Sequence, residues 1–87
     1  MALPFVLKFN NKAARALEQL PKEISSRIWN KLQEAKANPF RYFTRLKGRS
    51  DYKIRIGDYR AAADIRRNER AIEVTKIGHR RNFYKQA

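Results

Sequence analysis

The feature that most constrains the fold is an alternation of apolar and cationic residues in the second half of the chain. Residues 52–56 read Tyr-Lys-Ile-Arg-Ile. In a strand, successive side chains point to opposite faces, so the apolar residues face a core while Lys53 and Arg55 share the other face. Gly57-Asp58 then predicts a tight turn, after which Arg60 joins these cations. This half of the chain therefore predicts a small sheet with one cationic face.

The same period of two predicts four strands beyond residue 42. They cover residues 43–47, 51–56, 59–65 and 71–77. The segments between these strands are short, and short connections join antiparallel neighbours. Residues 79–86 then close the chain as a short helix or tail.

The first half of the chain has helical spacing instead. Residues 5–9 are a short apolar run that predicts a first strand, and Asn10 or Asn11 can cap the helix that follows. Pro21 ends that helix and suits the first turn of a second helix, which Asn38-Pro39 stops. The two helices are therefore expected to form a hairpin.

This order of elements, β-α-α-β-β-β-β, predicts an α+β fold. The N-terminal strand and the helical hairpin are expected to pack on a small, twisted, mostly antiparallel sheet of four to five strands. The first strand needs a partner, so it is expected to insert beside a late strand. At 87 residues the chain is interpreted as a single domain over residues 1–87.

The charge of the chain narrows the classes of partner. The net charge is +13, and 14 of the 21 Lys and Arg residues lie within residues 41–87. A domain this basic attracts polyanions. With no cysteine and one histidine, the sequence predicts no metal site and no cofactor. No apolar run approaches the ~20 residues that span a bilayer, and the first residues lack a secretory signal, so we expect no membrane partner and a cytoplasmic location.

Three like charges on one sheet face require an explanation. Lys53, Arg55 and Arg60 repel one another, and like charges on neighbouring strands destabilise a sheet. A phosphodiester backbone would offset that repulsion. Alternating cations are also typical of a face that is merely solvated, and Asp51 and Asp64 could neutralise part of the patch. The residues by themselves leave both interpretations open.

The last residues add further groups that suit phosphate. Arg80 and Tyr84 are four positions apart and share a face if the tail is helical. Arginine offers a planar fork to phosphate oxygens, and a tyrosine can bind phosphate, stack on a base or transfer a proton. His79 is a candidate acid or base, because its side chain titrates near neutrality. Phe83 is expected to anchor the tail to the core.

Cleavage at such a site would favour RNA. The candidate residues include neither the paired carboxylates of metal-dependent nucleases nor the two histidines of a common acid–base ribonuclease. RNA supplies its own nucleophile, the ribose 2′-hydroxyl, which DNA lacks. The protein would then have to align that hydroxyl and stabilise the charge of the transition state, and arginines suit the second task.

Three segments of the sequence, taken in order and at their spacing, resemble the RelE branch of the RelE/ParE toxin superfamily. They are residues 46–48 (Leu-Lys-Gly), residues 52–60 (Tyr-Lys-Ile-Arg-Ile-Gly-Asp-Tyr-Arg) and residues 77–84 (Ile-Gly-His-Arg-Arg-Asn-Phe-Tyr). The helix ending at Leu20-Pro21 and the break at Asn38-Pro39 agree as well. The resemblance covers nearly the whole chain.

The resemblance implies a toxin of a type II toxin–antitoxin pair, with the RelE-like fold that is related to microbial ribonucleases. Such a toxin is an endoribonuclease that enters the ribosomal A site and cuts mRNA. By position, Lys53 and Arg55 would hold the scissile phosphate and help to activate the 2′-hydroxyl. Arg60 and Arg80 would stabilise the transition-state charge, and Tyr84 would stack on a base or take part in proton transfer.

The resemblance also implies partners. These are mRNA, the ribosome near the 16S rRNA of the A site, and a RelB-like antitoxin. The antitoxin would mask the cations or displace the last helix, and the toxin alone would be a monomer. Further cations are expected to contact RNA or the ribosome, namely Arg45, Lys47, Arg49, Arg81 and Lys85.

The sequence departs from the family pattern in two places. Residues 61–63 are all alanine where the family usually has larger residues, which predicts a locally thin sheet, and His79 stands where some members have lysine. Two other functions stay open. One is a non-catalytic toxin of the ParE type that inhibits DNA gyrase, and the other is a basic RNA- or ribosome-binding module.

Overall fold

The computed structural model of the chain describes residues 3–45 and 51–83. Its elements, in chain order, are β1 (Val6–Phe9), α1 (Asn11–Gln19), α2 (Lys22–Ala35), α3 (Pro39–Tyr42), β2 (Thr44–Arg45), β3 (Tyr52–Ile56), β4 (Tyr59–Arg66), β5 (Ala71–His79) and α4 (Arg80–Phe83).

The described strands form one five-stranded sheet in the order β1-β5-β4-β3-β2. Within it β1 and β5 run parallel, and the other neighbouring pairs run antiparallel. The predicted α+β class is therefore confirmed, and so is the insertion of the first strand beside a late one. None of the helices in the described residues is long and apolar enough to cross a membrane.

The helical hairpin begins and ends where the sequence signals lie. The Oδ1 of Asn10 accepts a hydrogen bond from the backbone N–H of Ala13 at 2.8 Å, which caps α1. Pro21 is the N-terminal cap residue of α2, and α2 ends at Ala35, before Asn38. The prediction that Asn38-Pro39 stops the second helix is thus confirmed.

The sequence reading missed α3. The same proline that cannot continue α2 occupies the first turn of α3, where its missing N–H costs nothing. Phe43, predicted to start a strand, instead caps α3 and is buried. The strand predicted over residues 43–47 is therefore wrong at its start, since β2 begins at Thr44. The end of that prediction lies outside the described residues.

The core lies between the helices and one face of the sheet. Ile28 and Leu32 of α2 are fully buried, and Ile54 of β3 and Val74 of β5 belong to the same cluster. Burial of side chains of this size contributes about 1.5–3 kcal/mol each. The face of β3 predicted to be apolar is thus the one that the helices cover.

The alanine run does not interrupt the sheet. Ala61 and Ala63 are completely buried in the core cluster, and Ala62 is 5% exposed on the other face. The pairing of β4 with β5 shifts between Ala62 and Ala63. Because of this shift Thr75 is an extra residue in β5, and its hydroxyl donates to the carbonyl of Ala62 at 3.4 Å.

Candidate nucleic-acid interface

The face of the sheet opposite the helical hairpin carries the predicted cations in two rows across three strands. In the first row Arg55 of β3 lies directly opposite Arg60 of β4, which in turn lies opposite Gly78 of β5. Residues paired in this way have Cα atoms about 5 Å apart. Arg55 is exposed, and its Nε donates to the carbonyl of Gly57 at 3.4 Å. The row therefore places two guanidinium-bearing residues next to a position without a side chain.

The second row runs parallel to the first. Lys53 of β3 lies opposite Ala62 of β4, and Ala62 lies opposite Lys76 of β5. Both lysines are half-buried, and the small side chain between them leaves room for their aliphatic stems. Lys53 and Lys76 thus lie on either side of Ala62, next to the pair of Arg55 and Arg60.

Lys76 was missed by sequence reasoning, and the reason is the shift at Thr75. Strict alternation along β5 would group Lys76 with Ile72 and Val74, both fully buried in the core. The extra residue reverses the phase, so Ile77 faces the core and Lys76 faces the cationic side. The sequence does carry a signal of this extra residue. Two polar residues, Thr75 and Lys76, stand between the apolar Val74 and Ile77, where strict alternation would place one.

The cationic face is partly covered by the last helix. Phe83 of α4 is 3% exposed and packs over Gly78, whose added Cβ would stand 3.9 Å from the Phe83 ring. The Nζ of Lys76 lies 4.5 Å from the centre of the same ring and donates to the Phe83 carbonyl. Phe83 therefore anchors the last helix, but to this face and not to the core under the hairpin. Gly78 lies beneath the ring at a distance where even an added Cβ would make only ordinary contact.

The other C-terminal candidates are placed by the same short helix. The backbone N–H of Arg80 donates to the carbonyl of Asp58 at 2.8 Å, so α4 begins beside the turn between β3 and β4. This is the end of the sheet that carries Arg55 and Arg60. Arg80 and Arg81 are both exposed. The candidates that lie outside the described residues are Lys47, Arg49, Tyr84 and Lys85.

Two candidates lie on the helix side of the sheet. His79 pairs with Tyr59, and the two rings meet edge to face at 5.2 Å. The Nδ1 of His79 accepts a hydrogen bond from the backbone N–H of Arg81 at 3.2 Å, so this ring supports the start of α4. Arg45 pairs with Tyr52, and the register therefore directs it away from Lys53. The structure does not bring these two side chains to the cationic rows.

Asp64, one of the acids on the cationic face, lies at the end of β4 away from Arg60. Asp64 accepts from the Nε of Arg66 at 3.1 Å, and Glu73 on the neighbouring strand accepts from the same guanidinium at 3.0 Å. Asp64 first, and then Glu69 and Glu73, raise the pKa of Arg66 above its ordinary value. Arg66 is thus the cation that Asp64 neutralises. Within residues 3–45 and 51–83, no three His, Cys, Asp or Glu side chains are grouped so that they could hold a metal ion.

Comparison with known proteins gives one family and one fold. The family model described as ParE toxin of type II toxin–antitoxin system, parDE, matches residues 7–84. No curated protein sequence matches the chain.

Solved structures similar to the chain include the toxin–antitoxin complex RelBE2 from Mycobacterium tuberculosis. That match has a TM-score of 0.80 and 21% identity, and covers 88% of this chain and 99% of that one. The archaeal RelE–RelB complex from Pyrococcus horikoshii matches with a TM-score of 0.76 and 22% identity over 90% of this chain and 97% of that one. The E. coli RelBE complex matches with a TM-score of 0.76 and 22% identity over 86% of this chain and 95% of that one. At these identities the likeness shows that the fold is shared with RelE toxins.

Proposed function

We propose that this chain, which belongs to the family of ParE toxins of type II toxin–antitoxin systems within the RelE/ParE superfamily, is an endoribonuclease that cuts mRNA in the ribosomal A site. The observation that carries the proposal is the convergence of Lys53, Arg55 and Arg60 on one sheet face, next to the start of α4. A set of fixed cations at close range matches the charge of a phosphodiester and of its transition state.

The proposed reaction uses the ribose of the substrate as the nucleophile and needs no metal ion. The 2′-oxygen loses its proton and attacks the adjacent phosphorus, while the bond from phosphorus to the 5′-oxygen breaks. The products are a 2′,3′-cyclic phosphate and a 5′-hydroxyl, whose oxygen takes up a proton. The negative charge grows on the phosphoryl oxygens, so the protein contributes most by holding donors where that charge develops.

The roles proposed for the candidate residues are those that the resemblance to RelE toxins implies. Lys53 and Arg55 on β3 would hold the scissile phosphate and help to activate the 2′-hydroxyl. Arg60 and Arg80 would stabilise the pentacovalent charge. Tyr84, which lies outside the described residues, is proposed to stack on a base or to move a proton. Lys76 would act as a positioning residue, since it holds Phe83 and with it the helix that carries Arg80.

The proposed partners include an antitoxin as well as RNA. RelE relatives of the same fold have been solved in complex with RelB, and the net charge of +13 favours an acidic partner. A RelB-like antitoxin is therefore proposed for this chain. Further cations are proposed to contact RNA or the ribosome around the 16S rRNA, namely Arg45, Lys47, Arg49, Arg81 and Lys85. The toxin is proposed to act in the cytoplasm and to be a monomer when it is alone.

The test is to add the purified chain to a translating extract and to map new mRNA ends. We expect cuts within A-site codons and a 2′,3′-cyclic phosphate at the new 3′ ends. Removing a preorganised donor to the transition state typically costs about 10²–10³ in rate, so Arg60→Ala and Arg80→Ala should each lose activity on that scale. Arg15→Ala, on the exposed side of α1, is the matched control and should cut at the wild-type rate. Equal cutting by all four proteins would contradict the proposal.

A second candidate is inhibition of DNA gyrase without catalysis. The observation that favours it is the description of the matching family model, which is that of ParE toxins. A supercoiling assay separates the two functions, because a gyrase inhibitor blocks supercoiling and leaves mRNA intact in the extract. Binding to RNA or ribosomes that weakens steeply with salt, with no cut and no effect on gyrase, would indicate a basic binding module.

A further inference from the structure

A cavity of about 350 Å³ lies at the end of the sheet opposite the turn between β3 and β4. It is lined by Phe5, Ala37, Asn38, Phe40, Arg67 and Arg70. Arg60 and Arg67 are seven residues apart on the same hairpin, which corresponds to roughly 20 Å of strand. The cavity is therefore separate from the cationic rows.

Two guanidinium groups lie over aromatic rings in this cavity. The Cζ of Arg67 lies 3.9 Å from the centre of the Phe40 ring, and the Cζ of Arg70 lies 4.6 Å from the centre of the Phe5 ring. The two rings meet edge to face, with their centres 6.1 Å apart. Phe40 in turn contacts Tyr52, which packs against the core cluster. The two guanidinium groups thus lie against aromatic rings that are themselves packed together.

The charge of this pair is not neutralised within the described residues. Arg66, the neighbour of Arg67, is bound by Asp64 and Glu73, whereas neither Arg67 nor Arg70 contacts a carboxylate in residues 3–45 and 51–83. One terminal nitrogen of Arg70 donates to the carbonyl of Leu3, and its Nε is buried without a hydrogen-bond partner. An anion in the cavity would compensate the charge that these two guanidinium groups carry.

The backbone at Arg70 is also strained. Its φ of 50° lies in the left-handed region, where a residue with a Cβ costs about 1–2 kcal/mol relative to the right-handed one. Glycine or asparagine would lower that cost at the end of a hairpin loop. Strained backbone of this kind is concentrated at functional sites. The position therefore retains a guanidinium at some expense of stability.

We infer that this cavity binds one nucleotide, with the base stacked on the Arg67–Phe40 pair and the phosphate between the two guanidinium groups. A volume of about 350 Å³ is near the lower end for ligand sites, which fits a single nucleotide and not a longer segment. Flat arginine and aromatic faces stack on any base, and arginine forks pair with phosphate oxygens. The inference does not depend on cleavage, because the site lies at the other end of the sheet.

The test is calorimetric titration of the full chain with adenosine 5′-monophosphate, adenosine and inorganic phosphate. We expect the monophosphate to bind about tenfold more tightly than either part, since stacking and phosphate pairing each contribute on the order of 1–3 kcal/mol. In ¹H–¹⁵N spectra the amides of Ala37 and Arg67 should shift, and those of β3 should shift less. A second probe distinguishes the end of an RNA from a free nucleotide as the natural ligand. It is a 5′-phosphorylated tetranucleotide with 2′-O-methyl riboses, which has no free 2′-hydroxyl and so cannot be cleaved. Binding that is tighter than that of the monophosphate, and that Arg67→Gln weakens but Arg60→Ala does not, indicates an RNA end, whereas equal binding indicates a free nucleotide.

Matched variants locate the binding. Arg67→Gln should weaken the monophosphate about tenfold, and Phe40→Leu should weaken it while keeping an apolar side chain in place. Arg66→Gln removes the same charge from the same hairpin, but at a guanidinium already bound by carboxylates, and should change affinity less than about twofold. Equal loss in Arg66→Gln and Arg67→Gln, or inorganic phosphate binding as tightly as the monophosphate, would overturn the inference. So would loss of binding in Arg60→Ala with none in Arg67→Gln, since that would place the ligand on the cationic rows.

Discussion

Arg55 and Arg60 face each other directly across a two-residue turn, on the side of the sheet away from the helical hairpin. Two like charges in opposed positions of an antiparallel pair destabilise the strands that carry them. Neither strand can shift to relieve this repulsion, because a slip of one residue would move every apolar side chain of β3 to the wrong face. The repulsion is therefore built into the register that the core requires.

Replacing one member of this pair should stabilise the fold and remove the proposed activity. Arg55→Thr should raise the free energy of unfolding by about 0.2–1 kcal/mol, because it removes a cross-strand repulsion and adds a residue that favours strands. Thermal unfolding measures the change. The same variant should fail to cut mRNA in the translating extract. Lys8→Thr is the matched control, since Lys8 of β1 lies opposite an acid, Glu73, and not opposite a like charge, so its replacement relieves no repulsion and should raise stability less.

The contribution of each cation to RNA binding should be visible in its salt dependence. For single strands the logarithm of the binding constant falls with the logarithm of salt concentration by about 0.7 for every phosphate that is neutralised. Arg55→Ala and Lys53→Ala should each lower the slope by about 0.7. Fluorescence anisotropy with a 2′-O-methyl RNA between about 50 and 200 mM salt measures it. An unchanged slope in both variants would show that these side chains do not contact phosphate.

The last helix should loosen when its lysine contact is lost. Lys76→Met removes both the contact with the Phe83 ring and the hydrogen bond to the Phe83 carbonyl. Together these are on the order of 1.5 kcal/mol, so amide exchange within α4 should accelerate about tenfold.

Lys31→Met is the matched control for this variant. It also removes a lysine–aromatic contact, at 5.6 Å from the ring of Tyr42, but on the helical side of the molecule. Exchange in α4 should not change in that variant. Equal acceleration in both would show that Lys76 does not hold the helix.

Two glycines of the site should respond differently to the same substitution. Gly57 has φ +61°, so Gly57→Ala should cost about 1–2 kcal/mol and lower the melting temperature by several degrees. An added Cβ at Gly78 would only reach ordinary contact distance, 3.9 Å from Phe83, and Gly78 has no positive φ. Gly78→Ala should therefore unfold within about a degree of the wild type. A larger loss at Gly78 than at Gly57 would contradict this account of the turn.

Local chemistry in the sequence is sufficient for much of the architecture. Pro21 and Asn10 mark helix boundaries because a missing N–H and a side-chain acceptor act within one turn of backbone. The alternation in residues 52–56 assigns both faces of β3, because one of them has to be buried. The superfamily, too, was identified from residue order and spacing, and the match of the family model confirms it.

Features that depend on contacts between distant residues required the tertiary structure. An extra residue at Thr75 reverses the phase of β5, and no count along the sequence shows which positions pair across strands. The docking of Phe83 on the cationic face depends on Gly78 and Lys76 being brought under α4 by that reversal. In the same way, Phe5, Phe40, Arg67 and Arg70 come from three separate segments and form one cavity only after the sheet closes against the helices. Periodicity fixes which face of a strand is buried, whereas packing alone decides what lies opposite each residue on the other face.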